Sequence, residues 1–411
     1  MSRELACRSC RGTRLENLLT LGDVPLANSL LAEDALDRPE PVFPLELVFC
    51  AECALVQITE TVPPEKLFSE YLYFSSYSDT MLASARSLAE RLTTTRRLSR
   101  DSLVVEVASN DGYLLQFYKA GGVPVLGIEP AANIARLAET ERGIPTLVEF
   151  FGRSVGERLK RDGRRADVIH ANNVLAHVAD LNGFIAGLRA AVKDDGVVVI
   201  EVPYVREMIE RCEFDTIYHE HLCYFSLVAL ERLFARHDLA AVDVELLPIH
   251  GGSLRLFVAP APSAAAPSQA LSSLRAEEAR WGAEKLNRYN DFAEHVVRLR
   301  AALKTLLGDI KSRGQRIAAY GAAAKGATLL NYAAIGRETI DFVADRSPHK
   351  QGRYMPGVRL PIVDPRKLVE SMPEYVLLLA WNLADEIVAQ QAEYRARGGR
   401  FIVPVPEPRV V

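Results

Sequence analysis

The stretch that most constrains the fold of this 411-residue chain runs from Leu103 to Leu115 and has the sequence LVVEVASNDGYLL. It begins with an apolar run that includes Val104, Val105 and Val107, which is typical of a buried parallel strand. Residues 108–112 then carry no bulky side chains, so their backbone N–H groups can approach a ligand closely. Helical periodicity resumes after them. The pattern predicts a strand, a tight ligand-binding loop and the start of a helix.

A second strand, Pro124–Ile128, ends in the acidic residue Glu129, whose carboxylate can accept hydrogen bonds from both hydroxyls of a ribose. The loop departs from the dinucleotide pattern G-x-G-x-x-G, because Glu106 lies at the strand end and only Gly112 closes the turn. A negative charge there disfavours a pyrophosphate and favours the cationic amino-acid end of S-adenosylmethionine. We therefore predict a class I methyltransferase cofactor site, with a purely structural α/β turn as the alternative.

The next strong strand, Asp167–His170, leads into the sequence ANNVLAH. Ligands of doubly wound sheets collect beyond the carboxyl ends of such strands, so Asn172 is expected to approach the cofactor and His177 the reaction chamber. A hydrogen-bonded histidine at a helix start is the alternative for His177. The predicted cofactor-binding residues are Glu106, Ala108, Asn110, Gly112, Glu129 and Asn172.

The overall charge balance argues against a large anionic partner. The chain has 49 Lys and Arg against 53 Asp and Glu, and a sequence pI near 6.1. This balance provides no basic field for nucleic acid or for an anionic membrane surface. No cationic segment followed by a long apolar run opens the chain. We expect a cytoplasmic, soluble monomer that acts on a small molecule, with no nucleic acid or membrane partner.

Four of the six cysteines form two C-x-x-C pairs, which place their thiolates together in the manner of a tetrahedral zinc site. The predicted zinc ligands are Cys7, Cys10, Cys50 and Cys53. Disulfides are disfavoured in the cytosol, and a redox C-x-x-C needs no second copy. Because protein fills all four positions, we expect a structural zinc ion. Cys212 and Cys223 are isolated, and we expect both to serve packing.

The amino-terminal region is expected to be a small β-rich zinc module. Residues Leu19–Leu31 are rich in turn formers and are predicted to be irregular, whereas Phe43–Phe49 and Ala54–Thr59 are predicted strands. The stretch Glu70–Thr80, EYLYFSSYSDT, then crowds tyrosines and serines before a helix. It is either a polar connector or a substrate-facing loop, in which Tyr73 and Tyr77 are the candidate substrate contacts.

The segment FDTIYHEHLCYF, residues 214–225, gathers proton-transfer groups within four consecutive positions, Tyr218 to His221. A metal site is the less favoured interpretation, because H-E-H is not H-E-x-x-H and no third ligand is obvious. A hydrogen-bonded polar turn is the structural alternative. The density of titratable side chains favours proton chemistry.

A phosphate-binding turn is predicted near the carboxyl terminus. A Pro/Ala/Ser linker, Ala259–Ser268, and a long helical region, Leu271–Lys311, precede a strand ending at Tyr320. Gly321–Gly326 is then rich in small residues, so its N–H groups and Lys325 can contact a pyrophosphate, with Lys350 adding charge nearby. A close-packed structural turn is the alternative.

Taken together, these motifs resemble the nucleotide-sugar C-methyltransferases of deoxysugar biosynthesis. The resemblance rests on the two C-x-x-C pairs, the loop EVASNDG at Glu106, the segment Tyr218–His221 and the turn His250–Ser253, and it spans essentially the whole chain. It implies a zinc-binding amino-terminal domain, a central S-adenosylmethionine fold and a carboxyl-terminal Rossmann-like domain. The expected fold class is therefore α/β, divided as 1–69, 70–258, 259–311 for the linker and bridging helices, and 312–411.

The resemblance also implies a reaction, the methylation of a ring carbon beside the C4 ketone of a dTDP-4-keto-6-deoxysugar. His221 is then the expected base, since a neutral imidazole accepts a proton near pH 7. Glu220 is assigned to a sugar hydroxyl, Tyr218 to the enolate oxygen, and His177 to substrate orientation or to the role of alternative base. Ser253 joins Tyr73, Tyr77, Lys325 and Lys350 as a substrate contact.

Two other classes of function remain open from the sequence. One is an O- or N-methyltransferase acting on a small natural-product precursor, which needs a base but no carbon acid. The other is a non-catalytic zinc-containing scaffold. Methylation at C3 is favoured over C5, although both carbons flank the same ketone.

Overall fold

The computed structural model of the chain describes residues 5–68, 75–77, 79–248 and 251–411. Tyr73 and His250 therefore lie outside the described residues. Tyr77 ends a short 3-10 helix, Ser75–Tyr77, and its side chain is outside the described part. No helix in the described ranges is long and apolar enough to cross a membrane.

The amino-terminal part forms strands β1 (Leu15–Pro25), β2 (Val42–Cys50) and β3 (Val56–Ile58) and helix α1 (Pro64–Phe68). The prediction that Leu19–Leu31 is irregular was wrong for residues 19–25, which belong to β1. β1 pairs antiparallel with β2 along its length, and irregularities in register absorb the turn formers, among them Gly22 at φ +83°. Cross-strand pairing thus overrides the local turn preference.

The central part alternates strands and helices. Its elements are α2 (Asp79–Thr95), β4 (Val104–Val107), α3 (Leu115–Ala120), β5 (Val125–Ile128), α4 (Ala132–Arg142), β6 (Thr146–Leu147), α5 (Arg153–Arg161), β7 (Ala166–Asn172), α6 (Leu181–Ala191), β8 (Val192–Pro203), α7 (Val205–Glu210), β9 (Cys223–Tyr224), α8 (Leu227–Ala235), β10 (Leu239–Leu247) and β11 (Ser253–Pro260).

Seven of these strands form one sheet in the order β10-β11-β8-β7-β4-β5-β6. The strands β6, β5, β4, β7 and β8 run parallel, whereas β11 is antiparallel to both of its neighbours. The carboxyl ends of the parallel strands therefore meet at one edge. This edge receives the loop after β4, Glu129 after β5 and Asn172 at the end of β7.

The strand β9 comes from the central part of the chain but belongs to the amino-terminal sheet, whose order is β1-β2-β3-β9. It pairs antiparallel with β3, placing Tyr224 opposite Val56 and Cys223 opposite Gln57. The segment containing Tyr218–His221 immediately precedes β9. It is therefore held against the zinc module, which the sequence pattern did not predict.

Two helices, α9 (Gln269–Trp281) and α10 (Asn287–Ser312), connect the central part to the last sheet. Gly282, at φ +86°, ends α9 in a left-handed cap. The Tyr289 ring of α10 packs on Phe49 of β2 with 4.9 Å between ring centroids. The predicted helical region is confirmed as two helices, and it contacts the zinc module.

The carboxyl-terminal part is a second, mostly parallel sheet. Its elements are β12 (Ile317–Tyr320), α11 (Ala324–Ala333), β13 (Val343–Ala344), β14 (Ile362–Val363), α12 (Arg366–Ser371), β15 (Tyr375–Leu378), α13 (Ala384–Gln390), α14 (Ala392–Ala396), β16 (Arg400–Val403) and β17 (Arg409–Val410). The order is β14-β13-β12-β15-β16-β17, with only β17 antiparallel. The division at residues 69, 258 and 311 remains a proposal.

Candidate active site

The four cysteines of the two C-x-x-C pairs converge at one point. Their sulfur atoms all lie within 4.8 Å of one another, and the Cys7–Cys53 and Cys10–Cys50 pairs are each 3.5 Å apart. Zinc–thiolate bonds of about 2.3 Å in a tetrahedron require sulfur atoms roughly 3.8 Å apart. The cluster therefore fits a zinc ion whose four ligands are all protein atoms.

Both cysteine pairs adopt the same local turn. In the first, the N–H of Arg11 donates to the carbonyl of Cys7, and in the second the N–H of Ala54 donates to the carbonyl of Cys50. Arg11 and Ala54 both have a left-handed backbone, at φ +65° and +63°. These repeated turns direct the two thiols of each pair toward the shared centre.

The loop after β4 uses three left-handed residues in five positions, Ala108 at φ +53°, Asn110 at +48° and Gly112 at +77°. Glu129, directly after β5, holds part of its backbone. The Glu129 carboxylate accepts hydrogen bonds from the backbone N–H groups of Asn110 at 3.0 Å and Ala131 at 2.9 Å. Each carboxylate oxygen retains acceptor capacity for a further donor.

Four buried polar atoms around this loop have no hydrogen-bond partner within the described part of the chain: Glu106 Oε2, Ser109 Oγ, Asp111 Oδ1 and Asn172 Oδ1. Burial, reinforced by the carboxyl groups of Asp111 and Glu129, raises the pKa of Glu106 well above its usual value. Unpaired buried acceptors are costly unless a donor or cation reaches them. The predicted residues thus fit a ligand with a cationic end.

Tyr218 and His221 form a hydrogen-bonded chain with the backbone. His221 Nδ1 lies 2.9 Å from the carbonyl oxygen of Thr216, and His221 Nε2 lies 2.9 Å from the Tyr218 hydroxyl. A carbonyl only accepts, so Nδ1 must carry the proton of the neutral ring. The basic lone pair is therefore on Nε2, directed at the Tyr218 hydroxyl.

The structure also brings His177 into this cluster. Its ring lies 4.9 Å from that of His221, in an edge-to-face arrangement, and its Nδ1 donates to the carbonyl of Glu220 at 2.6 Å. Burial lowers the pKa of His177 to about 4, so the ring is neutral at pH 7. The four residues predicted to carry the chemistry are thus contiguous in space.

The zinc module contacts the same segment at two points, through the Asn28 side chain and through the backbone of Pro44, neither of which sequence patterns indicated. The Asn28 amide donates to Glu220 Oε1 at 2.7 Å. His219 Nε2 lies 3.1 Å from the carbonyl of Pro44, to which it donates. Burial raises the pKa of Glu220 to about 7, and the hydrogen bond from Asn28 acts in the opposite direction. Asn28 lies in a turn-rich stretch and carried no motif that singled it out.

The helix that follows the carboxyl-terminal turn Gly321–Gly326 contacts the segment 214–225 through a hydrogen bond from the Thr328 hydroxyl to the Ile217 carbonyl. Lys325 Nζ lies 2.9 Å from Asn382 Oδ1 and 4.8 Å from the ring centroid of Trp381. Lys350 donates to the carbonyl of Ala322 at 2.8 Å. The two predicted cations are therefore both at this turn, and their role toward a diphosphate remains a prediction.

Ser253 lies apart from that turn, at the start of β11 and almost completely buried. It borders a cleft of about 270 Å³ beside Tyr204 and Gly252. Gly252 has φ +120°, and a side chain there would meet the side chain of Glu207. The close approach of the Gly252 backbone to Glu207 therefore requires glycine. Ser253 remains a candidate substrate contact.

Two observations together define the class of protein. A mixed sheet with an antiparallel β11 between β8 and β10 is the class I methyltransferase arrangement, and its carboxyl edge carries the loop and acidic residue expected for S-adenosylmethionine. A four-thiol zinc site precedes it. The chain is therefore an S-adenosylmethionine-dependent methyltransferase with a zinc-binding module.

Comparisons with known proteins agree with this class. Family models match residues 7–68, described as "Putative zinc binding domain", residues 80–244, described as methyltransferase domain, and residues 248–406, described as C-methyltransferase C-terminal domain. C-methyltransferase NovU of Streptomyces niveus is 36% identical over 405 residues, covering 98% of this chain and 96% of that protein. The chain belongs to this family of C-methyltransferases, and its cofactors are S-adenosylmethionine and zinc.

Two further matches are partial. Ubiquinone biosynthesis O-methyltransferase of Methylobacterium nodulans is 31% identical over 97 residues, covering 23% of this chain and 38% of that protein. The solved structure of magnesium protoporphyrin IX methyltransferase from Synechocystis PCC 6803 with bound SAM is 11% identical, with a TM-score of 0.34, and covers 47% of this chain and 88% of that one. The fold assignment rests on the strand order described above.

Proposed function

We propose that this C-methyltransferase methylates a dTDP-4-keto-6-deoxysugar at a carbon next to the C4 ketone, C3 rather than C5, through an enolate. The observation that carries the proposal is the hydrogen-bonded chain from Thr216 through His221 to Tyr218, which puts an imidazole beside a phenol. Removal of a proton from carbon needs such a base, whereas a protein that only binds the sugar nucleotide needs none. The full-length similarity to a C-methyltransferase supports the same chemistry.

The proposed base is His221, acting through Nε2. The Thr216 carbonyl keeps the proton on Nδ1, so that Nε2 accepts the α proton directly or through the Tyr218 hydroxyl. The Tyr218 hydroxyl then donates to the developing enolate oxygen. His177, held through its Nδ1 by the Glu220 carbonyl, orients the substrate. Bound S-adenosylmethionine supplies an electrophilic methyl group, which the carbon nucleophile must approach in line with the sulfur atom.

The proposed binding residues form a cofactor group and a substrate group. Glu106, Asn172 and the loop 108–112 face the methionine end of the cofactor, and Glu129 its ribose. The Glu220 carboxylate accepts from a sugar hydroxyl. On the substrate side we assign Lys325 and Lys350 to the diphosphate and Ser253, Tyr73 and Tyr77 to the sugar nucleotide. We also propose that the protein acts as a monomer, which its elution volume in solution would test.

The decisive experiment incubates the protein and S-adenosylmethionine with a panel of dTDP-4-keto-6-deoxysugars in heavy water, followed by NMR of the products. The expected product has a new carbon-bound methyl group beside the ketone, with deuterium exchange at that carbon in protein lacking the methyl donor. An O-methyl or N-methyl product, or a panel without turnover, contradicts the proposal. The position of the new methyl group distinguishes C3 from C5.

A further inference from the structure

The catalytic segment contains a buried acid that the proposed reaction does not use. Asp215 is fully buried in a short 3-10 helix, Phe214–Thr216, next to the residue whose carbonyl contacts His221. Within the described residues, its Oδ1 has no hydrogen-bond partner. Burying a carboxylate is costly unless hydrogen bonds or a nearby cation compensate for the lost solvation.

Such compensation comes from the carboxyl-terminal sheet. The Trp381 indole N–H donates to Asp215 Oδ2 at 2.7 Å, across 166 positions of sequence. Trp381 begins a 3-10 helix that follows β15, at the same sheet edge as the turn after β12. The Lys325 ammonium lies over the Trp381 ring. Burial raises the pKa of Asp215 to about 6, while Lys325 and the indole N–H favour its ionised form.

A second hydrogen bond ties the same segment to the same sheet. The Thr328 hydroxyl of α11 donates to the carbonyl of Ile217 at 3.3 Å. Asp215 and Ile217 flank Thr216, whose carbonyl accepts from His221 Nδ1. The carboxyl-terminal part therefore holds the Asp215 side chain and the Ile217 carbonyl, on either side of Thr216, whose own carbonyl selects the tautomer of the imidazole.

We propose that Trp381 and Asp215 are positioning residues: the indole–carboxylate bond holds the Thr216 carbonyl in place, and that carbonyl keeps the basic lone pair of His221 on Nε2. The inference rests on the proposed role of His221 as the base. It gives the carboxyl-terminal part a function in catalysis that is separate from binding the substrate diphosphate. Neither residue touches the reacting atoms in this scheme.

Trp381→Phe tests the proposal, since it keeps an aromatic face for Lys325 and removes the N–H donor together with one ring of the indole. The matched control is Trp281→Phe, which changes the other of the two tryptophans in the chain, at the end of α9. The Trp281 indole nitrogen makes no hydrogen bond within the described residues. Asp215→Asn retains an acceptor for the indole N–H, whereas Asp215→Leu does not. Comparing the two variants separates the loss of the hydrogen bond from the loss of the charge.

Two measurements are made on each variant. The first is the nitrogen-15 NMR spectrum of the histidine rings without substrate, in which His221 is assigned by the signal missing from His221→Asn. The second is α-proton exchange and turnover with the dTDP-4-keto sugar. We expect Trp381→Phe and Asp215→Leu to lose the single Nδ1–H tautomer of His221. We also expect exchange and kcat to fall about 10- to 100-fold with KM nearly unchanged, whereas Trp281→Phe and Asp215→Asn stay near wild type.

An unchanged His221 tautomer in both Trp381→Phe and Asp215→Leu overturns the proposal, as does a changed tautomer with wild-type exchange. If His221→Asn itself exchanges the proton normally, the assignment of the base fails instead. The tautomer measured without substrate then still decides whether Trp381 and Asp215 orient the imidazole.

Discussion

The side-chain amide of Asn28, in the zinc-binding module, donates a 2.7 Å hydrogen bond to the carboxylate of Glu220, which stands next to His221. Glu220 is 5% exposed, and burial brings its pKa to about 7. Asn28 is thus a donor to a carboxylate whose charge changes near neutral pH. The zinc module therefore contributes to the electrostatics of the candidate active site as well as to its framework.

This contact predicts a pH effect for Asn28→Leu. The donor favours the ionised carboxylate, so its loss raises the pKa of Glu220 further. If the carboxylate form binds the sugar hydroxyl, activity rises with pH, and the midpoint of that rise moves upward. Loss of a hydrogen bond to a charged group costs about 1.5–3 kcal/mol, equivalent to about one to two pH units.

The measurement is kcat/KM between pH 5.5 and 9, spanning about two units either side of neutrality. Asn17→Leu serves as the control, since Asn17 is exposed on β1 of the same module. Superimposable profiles for Asn28→Leu and wild type would show that this hydrogen bond does not tune the site.

His221→Asn tests proton removal directly. The asparagine retains hydrogen-bonding capacity but lacks useful basicity, so turnover should fall about 10²- to 10⁴-fold while both ligands still bind. Exchange of the α proton should fall in parallel. His295→Asn, on α10, is the matched control. Normal exchange in His221→Asn would transfer the role of base to His177 or to a tyrosine-linked water.

Glu129→Ala tests the cofactor site. The carboxylate is proposed to accept from the ribose hydroxyls, so affinity for S-adenosylmethionine should fall by about 1–3 kcal/mol, as measured by calorimetry. Since Glu129 also holds the N–H groups of Asn110 and Ala131, the melting temperature is recorded in parallel. Glu141→Ala, on α4 with its side chain 61% exposed, is the control. An unchanged affinity removes Glu129 from the ribose role.

Lys325→Ala tests the predicted diphosphate contact. Loss of a cation that binds phosphate should raise KM for the dTDP sugar about tenfold or more, since such a hydrogen bond contributes about 1.5–3 kcal/mol. Binding of S-adenosylmethionine should not change. Lys367→Ala, on α12 with its side chain 51% exposed, removes the same charge elsewhere in this part of the chain. Equal KM values would assign the turn Gly321–Gly326 to packing.

The four-cysteine site predicts one zinc ion per chain in protein purified without chelator. Cys50→Ser should lower the zinc content and the yield of soluble protein before it alters the chemistry, because binding of the metal contributes to folding. Cys212→Ala changes a buried cysteine outside the cluster and should leave the zinc content unchanged. Zinc-free wild-type protein would contradict the assignment.

The sequence by itself determined the elements whose pattern is local. The strand at Val104–Val107 and the small-residue loop after it are specified by contiguous residues, as is the chelating spacing within each cysteine pair. The clustering of Tyr218 and His221 follows from their separation of three positions. These features were predictable because each is encoded within a short stretch of chain.

Tertiary structure decided how these elements meet. β1 became a strand as far as Pro25 because β2 pairs with it, and β9 joined the zinc-module sheet rather than the central one. The contacts of Asn28 with Glu220 and of Trp381 with Asp215 join residues 192 and 166 positions apart. No periodicity or motif encodes such pairs, because they arise only when separately folded surfaces pack and their buried polar groups must find partners.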